Sequence, residues 1–173
     1  MRPALRRTMQ SDAEPPVMAT QYKIPRSVLV VIHTPDLDVL LIERARWPGY
    51  WQSVTGSVDS ETEPLLQTAI REVMEETGID ATHHRLVDWE IDNAFEIYNK
   101  WRSRFAPGVT HNHERVFGLR VNDPIRVRLA PEEHSDQIWL PWRAAAEKCF
   151  SWSNRDAILR LPEFAALESP AGR

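Results

Sequence analysis

Glu72, Glu75 and Glu76 stand close together in residues 56–79, GSVDSETEPLLQTAIREVMEETGI. At about 100° per residue they fall within an arc of roughly 100° on a helix. Leu66, Ala69, Ile70, Val73 and Met74 occupy the neighbouring arc at helical spacing and predict the buried side. Like charges this close repel and destabilise a helix unless something neutralises them. A hard divalent cation does so, because it prefers carboxylate oxygen and leaves coordination positions open for phosphate oxygens. Glu72 and Glu76, at i and i+4, can converge on one ion. Glu75 can reach a second ion or hold the attacking water, and Arg71 can pair with a carboxylate and orient the group. A bare ExxEE reads more readily as a solvated acidic face, so the context must decide.

The elements that would position these groups are legible. Residues 27–32, SVLVVI, form a β-branched run of strand length, and 39–42, VLLI, a second. Pro35-Asp36 marks the turn of a hairpin between them. Residues 51–55 predict a short extended piece that ends at Gly56. The helix that follows takes Ser60 or Thr62 as its cap, Pro64 in its first turn and Gly78 at its end. Residues 86–97, 114–121 and 137–140 predict further strands, and 144–150 and 155–161 short helices. Strands before, between and after one strong helix predict an α+β sandwich with a mixed sheet rather than a regular βαβ array. Residues 1–20, with Pro3, Pro15 and Pro16 and no apolar period, read as a disordered tail. The folded domain is expected over 21–165 and a flexible tail over 166–173. Met18 is a candidate native start.

Composition closes off other classes. The 173 residues carry 21 Lys+Arg against 25 Asp+Glu, a net charge of -4, which disfavours general nucleic-acid binding. The single cysteine, Cys149, excludes an internal disulfide or a Cys-based zinc cluster and reads as a small packing residue. No apolar run approaches the roughly 20 residues of a membrane span. The expectation is a soluble cytoplasmic protein with no membrane or nucleic-acid partner. His111, His113 and His134 suggest a transition-metal site, but no third convergent ligand is visible in the sequence.

Arg71-Glu72-Val73-Met74-Glu75-Glu76-Thr77-Gly78-Ile79, with Glu63 eight positions before Arg71, resembles the Nudix box. One departure exists: six residues, not five, separate Gly56 from Glu63. The extra residue falls in the loop before the helix, where insertion is tolerated. The resemblance implies an α/β/α sandwich and metal-dependent hydrolysis of a pyrophosphate bond, with Glu72, Glu75, Glu76 and Arg71 as catalytic residues. Beyond the box, YKIPRSVLVVI from Tyr22, YWQSVTGS from Tyr50, FEIY from Phe95, APGVTHNHE from Ala106, Glu133-His134 and SWSNR from Ser151 resemble the bacterial dihydroneopterin triphosphate pyrophosphatases of folate synthesis. This likeness implies Mg²⁺, with Mn²⁺ as a substitute, held by Glu72, Glu76 and Glu133. Glu132 rivals Glu133 by position. It implies substrate contacts at Lys23, Arg44, Thr55, Phe95, Glu96, Ile97, Tyr98 and Ser151. Phe95, Tyr98, Trp51 or Trp152 would stack on a flat ring. Two other readings stay open: a house-cleaning pyrophosphatase for (deoxy)nucleoside triphosphates, and a non-catalytic Nudix binding module, which the complete box disfavours.

Overall fold

Alternation of side chains across a pleated strand decides the architecture, because both faces of the central strands are apolar. A computed structural model of the chain describes residues 22–168. The expected N-terminal tail over 1–20 lies outside the described residues. The strands are β1 (Arg26–His33), β2 (Asp38–Arg44), β3 (Trp51–Gln52), β4 (Val54–Ser57), β5 (Arg85–Glu96), β6 (His111–Arg120) and β7 (His134–Pro141). The helices are α1 (Leu65–Thr77), α2 (Trp142–Lys148), α3 (Trp152–Leu159) and α4 (Leu161–Glu168). Short 3₁₀ turns occupy Ala81–His83 and Asn99–Arg104.

The sheet runs β3-β2-β1-β6-β5, with β4 also beside β1 and β7 beside β2. β1 and β6 are parallel and the other pairings antiparallel. Val28, Val30 and Ile32 of β1, with Leu40 and Ile42 of β2, face α1 through Ala69 and Val73. The intervening Leu29 and Val31, with Val39 and Leu41, face the C-terminal helices through Ala145, Ala146, Ile158 and Leu161. The sheet is thus filled on both sides, as the sandwich expectation requires.

β1 and β2 pair only at His33 and Val39. Below that contact the sheet forks. β1 takes β4 as its neighbour over Ser27–Val30, while β2 keeps β3 and β7. The open end of this fork holds the cavity described below.

Several elements differ from the sequence reading. Neither Ser60 nor Thr62 caps α1; Pro64 occupies the cap position without a side-chain hydrogen bond. Gly78 does end the helix, in the left-handed region at φ 71°, its N–H donating to the Met74 carbonyl. The buried face of α1 is rotated from the expected arc: Leu66 and Met74 are exposed, whereas Thr68, Ala69, Val73, Glu76 and Thr77 are buried. β6 begins at His111 rather than at residue 114, and β7 at His134 rather than at 137. β5 carries a bulge between Asp88 and Ile91, with Glu90 at φ 57°. The bulge turns Trp89 inward, over Gly118 and stacked on Phe164 at 4.5 Å between centroids. The last helix continues to Glu168, past the expected domain end at 165. No described helix is long and apolar enough to cross a membrane.

Candidate active site

The acidic face of α1 divides into two environments. Arg71 lies on the outer side and gathers the carboxylates. Its Nε donates to Glu63 Oε1 at 3.1 Å, its Nη1 to Glu72 Oε1 at 2.8 Å and to Glu75 Oε2 at 3.4 Å, and its Nη2 to the Ser57 carbonyl at 3.0 Å. The Arg71 hydrogen bond holds Glu63 below its ordinary value. The longer loop after Gly56 therefore leaves the Glu63–Arg71 pairing intact. Glu75 is exposed, turned to Arg71 and away from the cavity.

Gly56 explains how Glu72 is seated. A Cβ at that position would stand 1.8 Å from the Glu72 carboxyl carbon, so only glycine lets strand β4 lie against this side chain. Burial, and then the charge of Glu76, push Glu72 up to about 7.

Glu76 points the other way, into the fork. It is 4% exposed, and burial pushes its pKa up. Its Oε2 accepts the Thr55 backbone N–H at 3.3 Å, and its Oε1 lies 3.2 Å from His134 Nε2. Glu133 joins them from the turn before β7, which is tied to the end of β2 by the Ala45 N–H donating to the Glu133 carbonyl at 2.8 Å. One ligand atom each from Glu76, Glu133 and His134 lie within 4.8 Å of one another. Glu72 is outside that trio, next to it through Glu76. The sequence reading found no converging partners for His134; the first residue of β7 brings it to Glu76 and Glu133. His111 and His113 do not join them. Two facing carboxylates, one of them buried and displaced towards its neutral form, fit a divalent cation, which would supply the charge that the protein lacks there.

A cavity of about 980 Å³ opens from this cluster along the fork. Lys23, Arg44, Thr55, Phe95, Glu96, Ile97, Tyr98 and Ser151, all marked from the sequence, line it together with Glu76 and Glu133. Arg71, Glu72 and Glu75 do not line it. Lys23 is lowered by burial and then by Arg104, against the opposing pull of Glu72 and Glu133. Arg44 donates through Nε to Gln52 Oε1 at 2.6 Å and stacks over Trp101, 4.9 Å from the ring centroid. Glu96 pairs with Arg102. Ser151 caps α3, accepting the Asn154 N–H at 3.4 Å, and Asn154 in turn locks Ser53 through 2.7 and 2.9 Å bonds.

Aromatic rings close one wall. Tyr98, Trp101, Tyr50 and Phe150 meet at tilted or edge-on angles, with Lys100 within 4.0–4.7 Å of the Trp47, Tyr50 and Trp101 centroids. Trp152 lines the cavity and is half exposed, whereas Trp51 packs in the core beneath Lys148. Trp51 is thus excluded as a stacking residue. Trp101, Phe150, Arg104, Asn112 and Glu114 also line the cavity and were not singled out from the sequence. Cys149 is partly buried, and burial pushes its thiol up to about 12, which disfavours the thiolate form.

The NUDIX domain profile matches residues 23–161, the span that carries this cavity and its carboxylates. The chain belongs to the NUDIX family. Dihydroneopterin triphosphate diphosphatase of Escherichia coli K12 is 45% identical over 140 residues, spanning 79% of this chain and 91% of that protein. The protein of the same name from Haemophilus influenzae is 39% identical over 153 residues, spanning 87% and 94%. The solved structure of the E. coli dihydroneopterin triphosphate pyrophosphohydrolase is similar with a TM-score of 0.75 and 44% identity, covering 80% of this chain and 95% of that one. In this Nudix chain the box residues split their work: Arg71 and Glu63 brace the helix, and Glu76 reaches the cavity.

Proposed function

We propose that the chain is a Mg²⁺-dependent pyrophosphohydrolase that converts 7,8-dihydroneopterin 3′-triphosphate to dihydroneopterin monophosphate and pyrophosphate. The observation that carries this reading is one cavity that joins a carboxylate cluster to an aromatic wall, in a chain 45% identical to the E. coli diphosphatase over most of its length. A bound Mg²⁺ would neutralise phosphate charge and lower the pKa of the attacking water. Glu76 and Glu133 would hold it, with Glu72 beside them. The His134 ring lies beside one Glu76 oxygen, and the Thr55 N–H keeps the second oxygen in place. Lys23, Arg44 and Arg104 offer cationic groups to the triphosphate, the guanidiniums as two-pronged donors. Phe95, Tyr98 and Trp101 supply flat apolar surface for the ring.

Hydrolysis of ordinary nucleoside triphosphates is the second reading, because the helix carboxylates handle phosphates whatever the ring. The test is pyrophosphate release from dihydroneopterin triphosphate and from the common NTPs and dNTPs, with Mg²⁺ or with EDTA. The expected result is Mg²⁺-dependent release with kcat/KM at least about tenfold higher for the pterin, equal to 1.4 kcal/mol of barrier. Equal rates across the panel would favour the nucleotide enzyme, and no release from any substrate would leave a binding module.

A further inference from the structure

The floor of the cavity holds a carboxylate that the hydrolysis does not use. Glu114 is 6% exposed and Asn112 5%, and both project from the same face of β6, two residues apart. Both line the cavity. The partners of Glu114 among the described residues are neutral: Asn93 Nδ2 donates to its Oε1 at 3.4 Å, and the Ser153 hydroxyl bonds to it as well. Asn112 Nδ2 donates to Ser27 Oγ at 2.7 Å, while its Oδ1, buried, has no hydrogen-bond partner among the described residues. A buried carboxylate without a cation is costly, and so is a buried carbonyl oxygen without a donor. Here both face a space large enough for a ligand. Asn112 Oδ1 has no donor among the described residues, and Glu114 has one long amide bond and one hydroxyl, so both can take further N–H donors.

We propose that Glu114, with Asn112 beside it, reads the amino-lactam edge of the substrate's ring and so sets specificity for a 2-amino-4-oxo heterocycle. The inference rests on the cavity being a substrate site, as proposed above. That edge carries a ring N–H and an exocyclic amino group side by side. The two donors match the two oxygens of a carboxylate, as a guanidinium does. The second amino hydrogen is then available to Asn112 Oδ1. Adenine presents a ring nitrogen acceptor where the N–H is needed. Thymine and uracil flank their N–H with two carbonyl oxygens, which a carboxylate repels. Guanine shares the edge, so among nucleotides the guanine ones should be the best substitutes. Burial, which pushes Glu114 up, opposed by Ser153 and Asn93, makes two donated hydrogen bonds worth more to it than they would be in water.

The experiment uses the full chain and needs no turnover in its first arm. Quenching of tryptophan fluorescence measures binding of neopterin and of the matching 2,4-dioxo pteridine, which lacks the amino group. The wild-type protein should bind neopterin at least about tenfold more tightly, and Glu114→Gln should shrink the difference to about threefold or less. In the second arm, the ratio of kcat/KM for dihydroneopterin triphosphate over dTTP should fall at least about tenfold in Glu114→Gln. Equal affinity of the wild-type protein for the two rings overturns the proposal, and this holds even if the variant does not fold. A folded Glu114→Gln with an unchanged ratio overturns it too. If wild-type protein separates the rings but releases no pyrophosphate from the pterin triphosphate, the proposed reaction fails while the edge reading stands.

Discussion

Gly56→Ala is a small substitution with a calculable consequence. Its Cβ would stand 1.8 Å from the Glu72 carboxyl carbon and 2.0 and 2.3 Å from the two oxygens. Ordinary contact begins near 3.4 Å, so the carboxylate must retreat by at least 3.4 − 1.8 = 1.6 Å. The retreating group is the end of a flexible side chain, so the fold itself need not move. The stability cost is chiefly the 2.8 Å bond from Arg71, and Arg71 keeps its bonds to Glu63. That amounts to about 1–2 kcal/mol, or a fall in Tm of several degrees for a domain of this size. Catalysis is far less tolerant, since a misplacement of about 1 Å can cost roughly a hundredfold. We therefore expect kcat for pyrophosphate release to fall by at least about a hundredfold, near 2.7 kcal/mol of barrier, with the folded state retained. Calorimetry and steady-state kinetics at millimolar Mg²⁺ measure the two effects separately. A Gly56→Ala protein with wild-type kcat would show that Glu72 has no need of its observed position, and the reasoning would be refuted.

Glu76→Gln should lower the rate at least about a hundredfold at millimolar Mg²⁺, and a wild-type rate in that variant removes Glu76 from the metal site. Glu133→Gln should lose at least about tenfold and need more Mg²⁺ for half-maximal rate, while Glu132→Gln stays near wild type; exchanged outcomes would assign the role to Glu132. Glu114 has its pKa raised by burial, so the folded state holds its proton more tightly than the unfolded chain, whose carboxyl titrates near 4.5. Its contribution to stability is then lost as pH rises from that value through the folded-state pKa, and Glu114→Gln should show a shallower fall in Tm as pH rises above about 4.5; parallel curves would count against the burial argument.

The parts of the fold legible in the sequence were those with a local cause. SVLVVI read as a strand from its β-branched residues and its length, and the left-handed cap at Gly78 followed from its place after the helix. The clustering of carboxylates on one helix was legible for the same reason, since Glu72 and Glu76 fall close together by spacing alone, but not that Glu72 turns to Arg71 while Glu76 enters the cavity. What escaped depended on pairing between distant segments. Asn112 and Glu114 came to one face of the cavity because β6 starts at His111 and runs parallel to β1, with Ser27 opposite Glu114. His134 looked solitary because its partners lie on α1 and in the turn beside it, which only the β2–β7 register brings together. The rotation of α1 has a physical cause as well. A helix read by hydrophobicity places Leu66 and Met74 inside and Glu76 outside, but the site needs Glu76 inside.

That inversion ties stability to chemistry in this domain. Burying Glu76 instead of an apolar side chain gives up hydrophobic stabilisation and adds the cost of a desolvated charge. The fold compensates locally, with the Thr55 N–H on one oxygen and the His134 ring near the other. Neither group cancels the repulsion from Glu72, which burial and Glu76 together push up to about 7, or from Glu133. The imbalance is confined to the open end of the β1–β2 fork, where α1, packed into the core through Ala69 and Val73, presents Glu76 to the cavity. A cation that binds only the folded state relieves that imbalance and stabilises the domain by mass action. On the proposed reading, the same unsatisfied charge would give the site its affinity for a metal–phosphate complex, so a variant that replaced Glu76 with an apolar residue should gain stability and lose the reaction.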